Sequence, residues 1–423
     1  MSANDEAKPG EAPKAPNADD RKSIAAAVIV AALGYFVDIY DLILFSVVGR
    51  NSLKELGVPA GEVEARFASL LDTQMLGMLS GGLLWGILGD RRGRLSVLFG
   101  SILLYSIANL VNGWLPYPAA YPALRFLAGV GLAGELGAGI TLVSEIMNRT
   151  SRGWGTTIVA GIGVMGAIAA AIIDRNFHWR TAYYIGGGMG LTLLALRLGV
   201  RESGMFKSVK ANTAVSRGNF LQLFTSAGRF KRYLCLILSG IPIWYVVGIL
   251  VSRSPKIAKD MGLAGAVVPG TAVMMCYTGL AIGDLASGFT SQLLKSRRFA
   301  VLLFVALTAT SIGGYFLLGR TSLFAFYAMC LSLGIGAGYW AVFVTMASEQ
   351  FGTNIRSTVT TTAPNFVRGS LVLVSAAFGA LEPRLGPWKA AAVVGAVTVS
   401  AAVVAILVLD ESYGKDLDFV EHD

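Results

Sequence analysis

GILGDRRGR (86–94) lies between two long apolar runs, and its reading decides the rest of the chain. A carboxylate and three arginines are packed into a short, glycine-bounded turn. Hydrocarbon does not accept such a cluster, so the turn belongs at a water face, where it joins two spanning helices. GFTSQLLKSRR (288–298) repeats the arrangement about two hundred residues later, again between apolar runs. Two such turns at matching places indicate a duplicated membrane protein, and duplication at this size points to a transporter.

Composition agrees. Of 423 residues, 54% are apolar and 14% charged, whereas a soluble domain carries about a quarter charged residues. The apolar residues come in runs of roughly 18 or more, enough to cross a bilayer core. The three cysteines lie inside such runs without metal-ligand or redox spacing and read as packing residues. Positive charge gathers in alternate loops, which argues for membrane orientation and against nucleic acid as a partner.

The expected fold is an all-α membrane protein of twelve transmembrane helices in two pseudo-symmetric six-helix bundles. The spans are placed at 23–48, 64–89, 95–115, 119–147, 154–173, 180–200, 231–252, 267–294, 299–318, 321–348, 357–380 and 387–409. Residues 1–22 read as a disordered tail, 23–200 as the first bundle and 201–230, with Arg201, Lys207, Lys210, Arg217 and Arg229, as a linker. Residues 231–409 form the second bundle and 410–423 a second tail. The positive-inside rule puts linker and both tails in the cytoplasm. Internal correspondence supports the halves: QMLGMLSGGLLWG (74–86) aligns with MCYTGLAIGDLASG (275–288), and SLKELG (52–57) with KIAKDMG (256–262). Gly82/Gly86 and Gly279/Gly283 are small residues four apart on a helix face and read as helix–helix packing.

Charges near the bilayer centre are costly and therefore informative. The first span carries Asp38 and Asp41, the second Asp72, the fourth Arg125 and Glu135, the eighth Asp284 and the eleventh Arg368. The third, ninth and twelfth carry none, and Arg197 of the sixth lies near its inner end, where it would snorkel. Every third helix can therefore face lipid while the others surround a polar cavity. Asp38 and Asp41 share a helix face. They read as a reversibly protonated pair, or as a structural pair neutralised by Arg125 or Arg368. Glu135, among Gly131, Gly134 and Gly137, reads as a proton or substrate site or as an interhelix hydrogen-bonding group. Asp72 and Asp284 read equally as gating, structural or substrate-contacting acids. Arg368, in NFVRG (365–369) with Asn365, needs a carboxylate partner or an anionic solute. Trp244, Tyr245, Tyr339 and Trp340 are candidate lining aromatics or packing residues.

With those residues in place, the chain resembles the major facilitator superfamily, and its sugar-porter and metabolite–proton symporter branches in particular. GILGDRRGR resembles the loop signature between helices two and three. RFLAGVGLAGELG (125–137), SEI (144–146) and SRG (151–153) resemble the fourth helix and the loop after it, and EQFGTNIR (349–356) their second-half counterpart, with Gly352 in place of a proline. RES (201–203) and ESYG (411–414) are similar to the acidic caps after helices six and twelve. FVDIYDL (36–42) is similar to the paired-acid first helix of proton-coupled organic-anion symporters. The resemblance implies Asp41 and Asp38 as proton acceptors with Arg125 as charge partner. It also implies Asp90, Arg91, Glu145, Arg152, Glu349 and Arg356 as ion pairs that latch the cytoplasmic side. Gln292 stands where the first half has Asp90, so the latch is expected to be asymmetric. ILSGIPIWYVVGIL (237–250) lacks the polar cluster of hexose porters, and IVAGIGVMGAIAAAII (158–173) lacks the Gly-Pro pair of drug antiporters.

The function expected is secondary active transport of a small organic solute, with Arg368 and Arg253 favouring an anion. It proceeds by proton symport and alternating access across the inner membrane, in a monomer. No cofactor or metal is expected, only the proton gradient. A proton-coupled exporter and a non-transporting solute receptor are the alternatives. The two histidines, His178 and His422, converge with no nucleophile or metal-ligand set, and no phosphate-binding loop is present, so no enzyme is expected.

Overall fold

The computed structural model describes residues 18–147, 151–197 and 218–421, with side chains from residue 24 onward. Arg201, Lys207, Lys210, Arg217, the RES motif, most of the expected first tail and His422 lie outside the described residues. The first helix, α1 (Ala18–Glu55), already runs through residues 18–22, which the sequence assigned to the tail.

The helices of the first half are α1, α2 (Val63–Arg92), α3 (Arg94–Trp114), α4 (Tyr121–Leu132), α5 (Glu135–Ile146), α6 (Arg152–Asn176) and α7 (Trp179–Leu196). The second half contains α8 (Ala227–Tyr245), the short α9 (Ser254–Asp260), α10 (Pro269–Leu293), α11 (Arg297–Leu317), α12 (Leu323–Ala337), α13 (Trp340–Gln350), α14 (Arg356–Leu385) and α15 (Pro387–Val408). Among the described residues, ten segments are long and apolar enough to cross a membrane. The polar α2 and the glycine-rich α7 supply the remaining two of twelve spans.

Three spans are not continuous α-helices, and the sequence accounts for each. The fourth breaks at Ala133–Gly134, between α4 and α5, in a run of glycines that favours helix weakly. Asn365 Nδ2 donates to the Ala133 carbonyl at 2.9 Å, replacing a bond lost at the break. The tenth breaks at Gly338–Tyr339, between α12 and α13. The seventh carries Pro242 and passes into a π-helical turn over Val246–Val251.

The halves meet where α2 packs on α14 and α6 on α10. Glycines permit this approach: a Cβ on Gly86 would come within 3.0 Å of the Thr358 Cα, and one on Gly82 within 2.9 Å of the Asn365 Cβ. Hydroxyl pairs add directional contacts, with Thr141 to Thr360 at 2.6 Å and Thr345 to Thr156 at 2.8 Å. The outer faces are apolar. Leu103, Ile107 and Val111 on α3, Phe299, Leu303 and Leu307 on α11, and Val393, Val397 and Val404 on α15 form exposed stripes at helical spacing. These are the third, ninth and twelfth spans, whose apolar faces suit lipid. Arg197 departs from the snorkelling expectation: it is buried and ion-pairs with Glu135, in space left by the missing side chain of Gly34.

Candidate functional site: a central cavity and a buried ion-pair cluster

At the centre of the interface lies a cavity of about 30 Å³. Tyr35, Ile39 and Val164 line it from the first half; Trp244, Tyr277, Leu280, Asp284, Trp340 and Arg368 are among those lining it from the second. Arg368 is its cation. The side chain is buried, Nη1 donates to Asn365 Oδ1 at 3.3 Å, and the guanidinium carbon sits 5.5 Å from the Trp340 ring centre. Nη2 stands 3.9 Å from Asp38 Oδ2, across the two halves, too far for a hydrogen bond. Neither Asp38 oxygen has a hydrogen-bond partner among the described residues. A charge this deep is costly without close pairing, so an arginine with a loose partner is suited to receive an anion. Asp284 approaches from α10, with Oδ1 accepting the Ala341 N–H at 3.1 Å just past the break in the tenth span.

Voids lead from this cavity toward one end of the molecule. Trp244 and Val247 line both it and a neighbouring void of about 20 Å³. Ser46 and Ser252 line that void and also a mouth of about 230 Å³ containing Arg50, Asp174 and Arg175. At about 30 Å³ the central cavity admits a water or two, so a solute enters only when these side chains and the halves move apart.

Asp41 and Arg125 lie apart from the cavity, inside the first bundle. Both are fully buried. Asp41 packs against the backbone at Gly186, and its oxygens have no hydrogen-bond partner among the described residues. Arg125 does not ion-pair with it: Nη1 reaches Gln74 Oε1 at 3.5 Å and Nη2 reaches Asn109 Oδ1 at 3.3 Å, with the Tyr183 ring centre 5.0 Å from the guanidinium carbon. Of the four candidate aromatics, Trp244 and Trp340 line the cavity. Tyr245 and Tyr339 turn away, donating to the Ala391 and Ser239 carbonyls. Asp72 is half-buried on α2.

The opposite end is closed by buried charges arranged with twofold pseudo-symmetry. Glu145 holds Arg94 of its own half at 2.8 Å and Arg356 of the other at 3.2 Å. Glu349 holds Arg297 of its own half at 3.2 Å and Arg152 of the other at 2.8 Å. Asp90 accepts the N–H groups of Ser357 and Thr358 at 3.1 and 2.7 Å, which places a carboxylate on the N-terminus of α14. Arg91 is exposed and forms no ion pair among the described residues; Arg94 occupies the place expected for it. Arg94 and Arg297 are members of these ion pairs that sequence reasoning did not assign. Gln292, opposite Asp90 in the pseudo-symmetry, packs against Gly153 instead of capping a helix.

The C-terminal segment lies across this end. Lys415 O accepts from Arg152 at 2.9 Å, Ser412 donates to Glu349 at 2.9 Å, and Thr353 donates its N–H to Phe419 O at 2.8 Å. Glu411 caps α11 through the Ser296 hydroxyl and the Arg297 N–H. Burial raises its carboxyl, but that hydroxyl and the N–H groups of Tyr413, Arg297 and Ser412 outweigh burial and hold it below the usual carboxylate range.

The family profile described as Major Facilitator Superfamily matches residues 31–370. The chain is 24% identical over 353 residues to a gentisate transporter of Corynebacterium glutamicum, covering 79% of this chain and 76% of that one. It is 27% identical over 329 residues to a 3-(3-hydroxy-phenyl)propionate transporter of Escherichia coli, covering 74% and 78%. It is 24% identical over 400 residues to a putative niacin/nicotinamide transporter of Bacillus subtilis, covering 90% and 94%. Among solved structures, a proton:xylose symporter bound to 6-bromo-6-deoxy-D-glucose superposes with a TM-score of 0.75 at 16% identity, covering 94% of this chain and 98% of that one. That likeness concerns the fold.

Proposed function

The chain belongs to the Major Facilitator Superfamily, and on that premise we propose that it takes up a small aromatic carboxylate by proton symport. As a family member it is a multi-pass membrane transporter of small organic metabolites and not an enzyme. The observation that carries the finer reading is Arg368: a buried cation in an aromatic-walled cavity between the halves, with Asp38 beside it at 3.9 Å. Gentisate and 3-(3-hydroxy-phenyl)propionate, named for two relatives, are aromatic rings bearing a carboxylate. The ring suits the Trp and Tyr walls and the carboxylate suits the guanidinium.

Coupling follows from charge. An ionised Asp38 competes with the solute's carboxylate for Arg368. When Asp38 takes a proton from outside, Arg368 is free and the solute's anion replaces the charge that Asp38 gave up. The loaded site is neutral, so the halves close over it without burying an unpaired ion. The gate at Glu145 and Glu349 then parts, and deprotonation toward the cytoplasm restores Asp38 to Arg368 and expels the solute. Asp41 is the second proton acceptor, and Glu135, held by Arg197, a fixed charge. The gate faces the cytoplasm with both termini, the chain sits in the inner membrane as a monomer, and the proton gradient alone supplies energy.

Proteoliposomes with an acidic exterior test this. Radiolabelled benzoate or hydroxybenzoate should accumulate above equilibrium and leak out when a protonophore is added. Accumulation only under the reversed gradient would make the chain an exporter, and saturable binding without flux would make it a receptor; either overturns the proposal.

A further inference from the structure

The carboxylate reading uses Arg368 and the aromatic walls but leaves Asp284 without a task. Asp284 is fully buried and lines the same cavity as Arg368. Its Oδ1 accepts the Ala341 N–H, which caps α13 where the tenth span resumes. Its Oδ2 has no hydrogen-bond partner among the described residues, and no described Lys or Arg stands within 4 Å of either oxygen. A cap needs one oxygen, and serine, threonine or asparagine supplies it without a second. The other oxygen is left facing a cavity that admits a water or two, a place that a polar group of the solute can take. The residue is therefore poorly explained as a cap and well explained as half of a binding site.

We propose that Asp284 is a specificity-determining residue whose free oxygen engages a hydroxyl on the solute while Arg368 holds the carboxylate. The proposal rests on the carboxylate reading above. The cavity then presents a cation on α14 and an acid on α10 that do not pair with each other, with aromatic side chains lining the same space. A second carboxylate is repelled from the acid. A hydroxyl suits it, because it donates to the free oxygen of the carboxylate, which an ether oxygen cannot do. The solute class is thus a hydroxylated aromatic acid. The unhydroxylated parent acid leaves Oδ2 unsatisfied and is discriminated against, by roughly 10- to 100-fold for one hydrogen bond to such a group.

The test is calorimetric titration of the purified full chain with benzoate, 3-hydroxybenzoate, 4-hydroxybenzoate and 4-methoxybenzoate. At least one hydroxybenzoate should bind about tenfold or more tighter than benzoate, and 4-methoxybenzoate, which cannot donate, should show no such gain. Asp284→Ser, whose hydroxyl keeps an acceptor near the cap while removing the free oxygen, should bring hydroxybenzoate affinity down to that of benzoate. Equal binding of benzoate and both hydroxybenzoates by the unmodified chain overturns the proposal, as does a preference that survives in Asp284→Ser. Failure of all four acids to bind overturns the carboxylate reading and this proposal with it. Loss of all binding in Arg368→Gln, alongside no discrimination in the unmodified chain, retains the former and removes only the latter.

Discussion

Asp38 Oδ2 and Arg368 Nη2 face each other at 3.9 Å across the two halves of the molecule, close enough to feel each other's charge and too far apart to share a hydrogen bond. The spacing leaves the guanidinium available and ties its availability to the charge of one carboxylate. Affinity for an aromatic acid should therefore rise as pH falls, because protonation of Asp38 releases Arg368. Asp38→Asn fixes the released state. Its Kd should be flat across pH, close to the low-pH value of the unmodified chain, with uphill uptake lost. Titration calorimetry at several pH values checks this; a variant that keeps the original slope removes Asp38 from coupling.

Asp41 presents a different case, since it touches no cation and lies outside the cavity. Its oxygens are buried against the backbone at Gly186, within a bundle whose arginine is engaged with Gln74 and Asn109. Asp41→Asn should abolish gradient-driven accumulation while sparing one-for-one solute exchange, because binding and rocking do not require its charge. Counterflow and uptake assays on the same proteoliposomes separate the two. Full gradient-driven uptake by the variant would exclude Asp41 from the proton path.

Arg91 and Arg94 are three residues apart in one turn, yet one is exposed and the other is fully buried on Glu145. Removing one partner of a buried ion pair costs about 3–5 kcal/mol, whereas a surface charge is worth about 0–1. Arg94→Ala should lower thermal stability markedly and cut transport at least tenfold, and Arg91→Ala should leave both within twofold. A thermal melt and an uptake rate on each variant suffice; equal effects would contradict the gate geometry.

Much of this was legible in the sequence. Apolar runs set the number and order of spans, and a carboxylate–arginine turn between them marked the loop that carries Asp90 and Arg94 into the buried ion pairs. The third, ninth and twelfth spans, read as lipid-facing from their lack of charge, carry exposed apolar stripes. What the sequence hid has specific causes. Asp90 and Arg94 are spaced for a helical i,i+4 pair, but the intervening Gly93, at φ 110°, concealed the pairing. Arg297 was masked by an offset: Lys295, at φ 50°, matches Gly93, but Ser296 then intervenes as the cap of α11, so the gate arginine comes one residue later than in the first half. Arg197 was misplaced because helix ends carry no marker of depth, and Gly34, on the neighbouring α1, decides where its guanidinium fits. The sequence offered Arg125 and Arg368 alike as partners of Asp38 and Asp41; that Arg368 faces Asp38 joins positions 330 residues apart and is decided by the docking of the halves.

Gly86 lets α2 and α14 approach closely. A Cβ there would approach the Thr358 Cα at 3.0 Å, a backbone contact that no side-chain rotation relieves. Gly86→Val should therefore destabilise the state in which α2 and α14 are tightly packed and shift the population toward the opposite opening. Gly313, with nothing within 4 Å of its Cβ position, is the control. A cysteine placed at Thr141, buried against Thr360 in the closed gate, should be alkylated faster in Gly86→Val than in Gly313→Val or the parent. Equal labelling would mean the close approach is not a barrier.

Glu411 gives the gate end a pH dependence whose sign is fixed by its bonds. The hydroxyl of Ser296 and the N–H groups of Tyr413, Arg297 and Ser412 favour the ionised carboxyl more than burial disfavours it, so the folded pKa lies below the unfolded one. A group depressed on folding contributes stability that is fully present above its unfolded pKa and is lost as pH falls through its folded pKa. Thermal melts of the unmodified chain and Glu411→Gln should therefore differ by a constant amount near neutral pH, with the unmodified chain the more stable. The gap should narrow as pH drops through and below the ordinary carboxylate range. A gap that widened with acid would mean that Glu411 is held in its neutral form, and the cap on α11 would need another explanation.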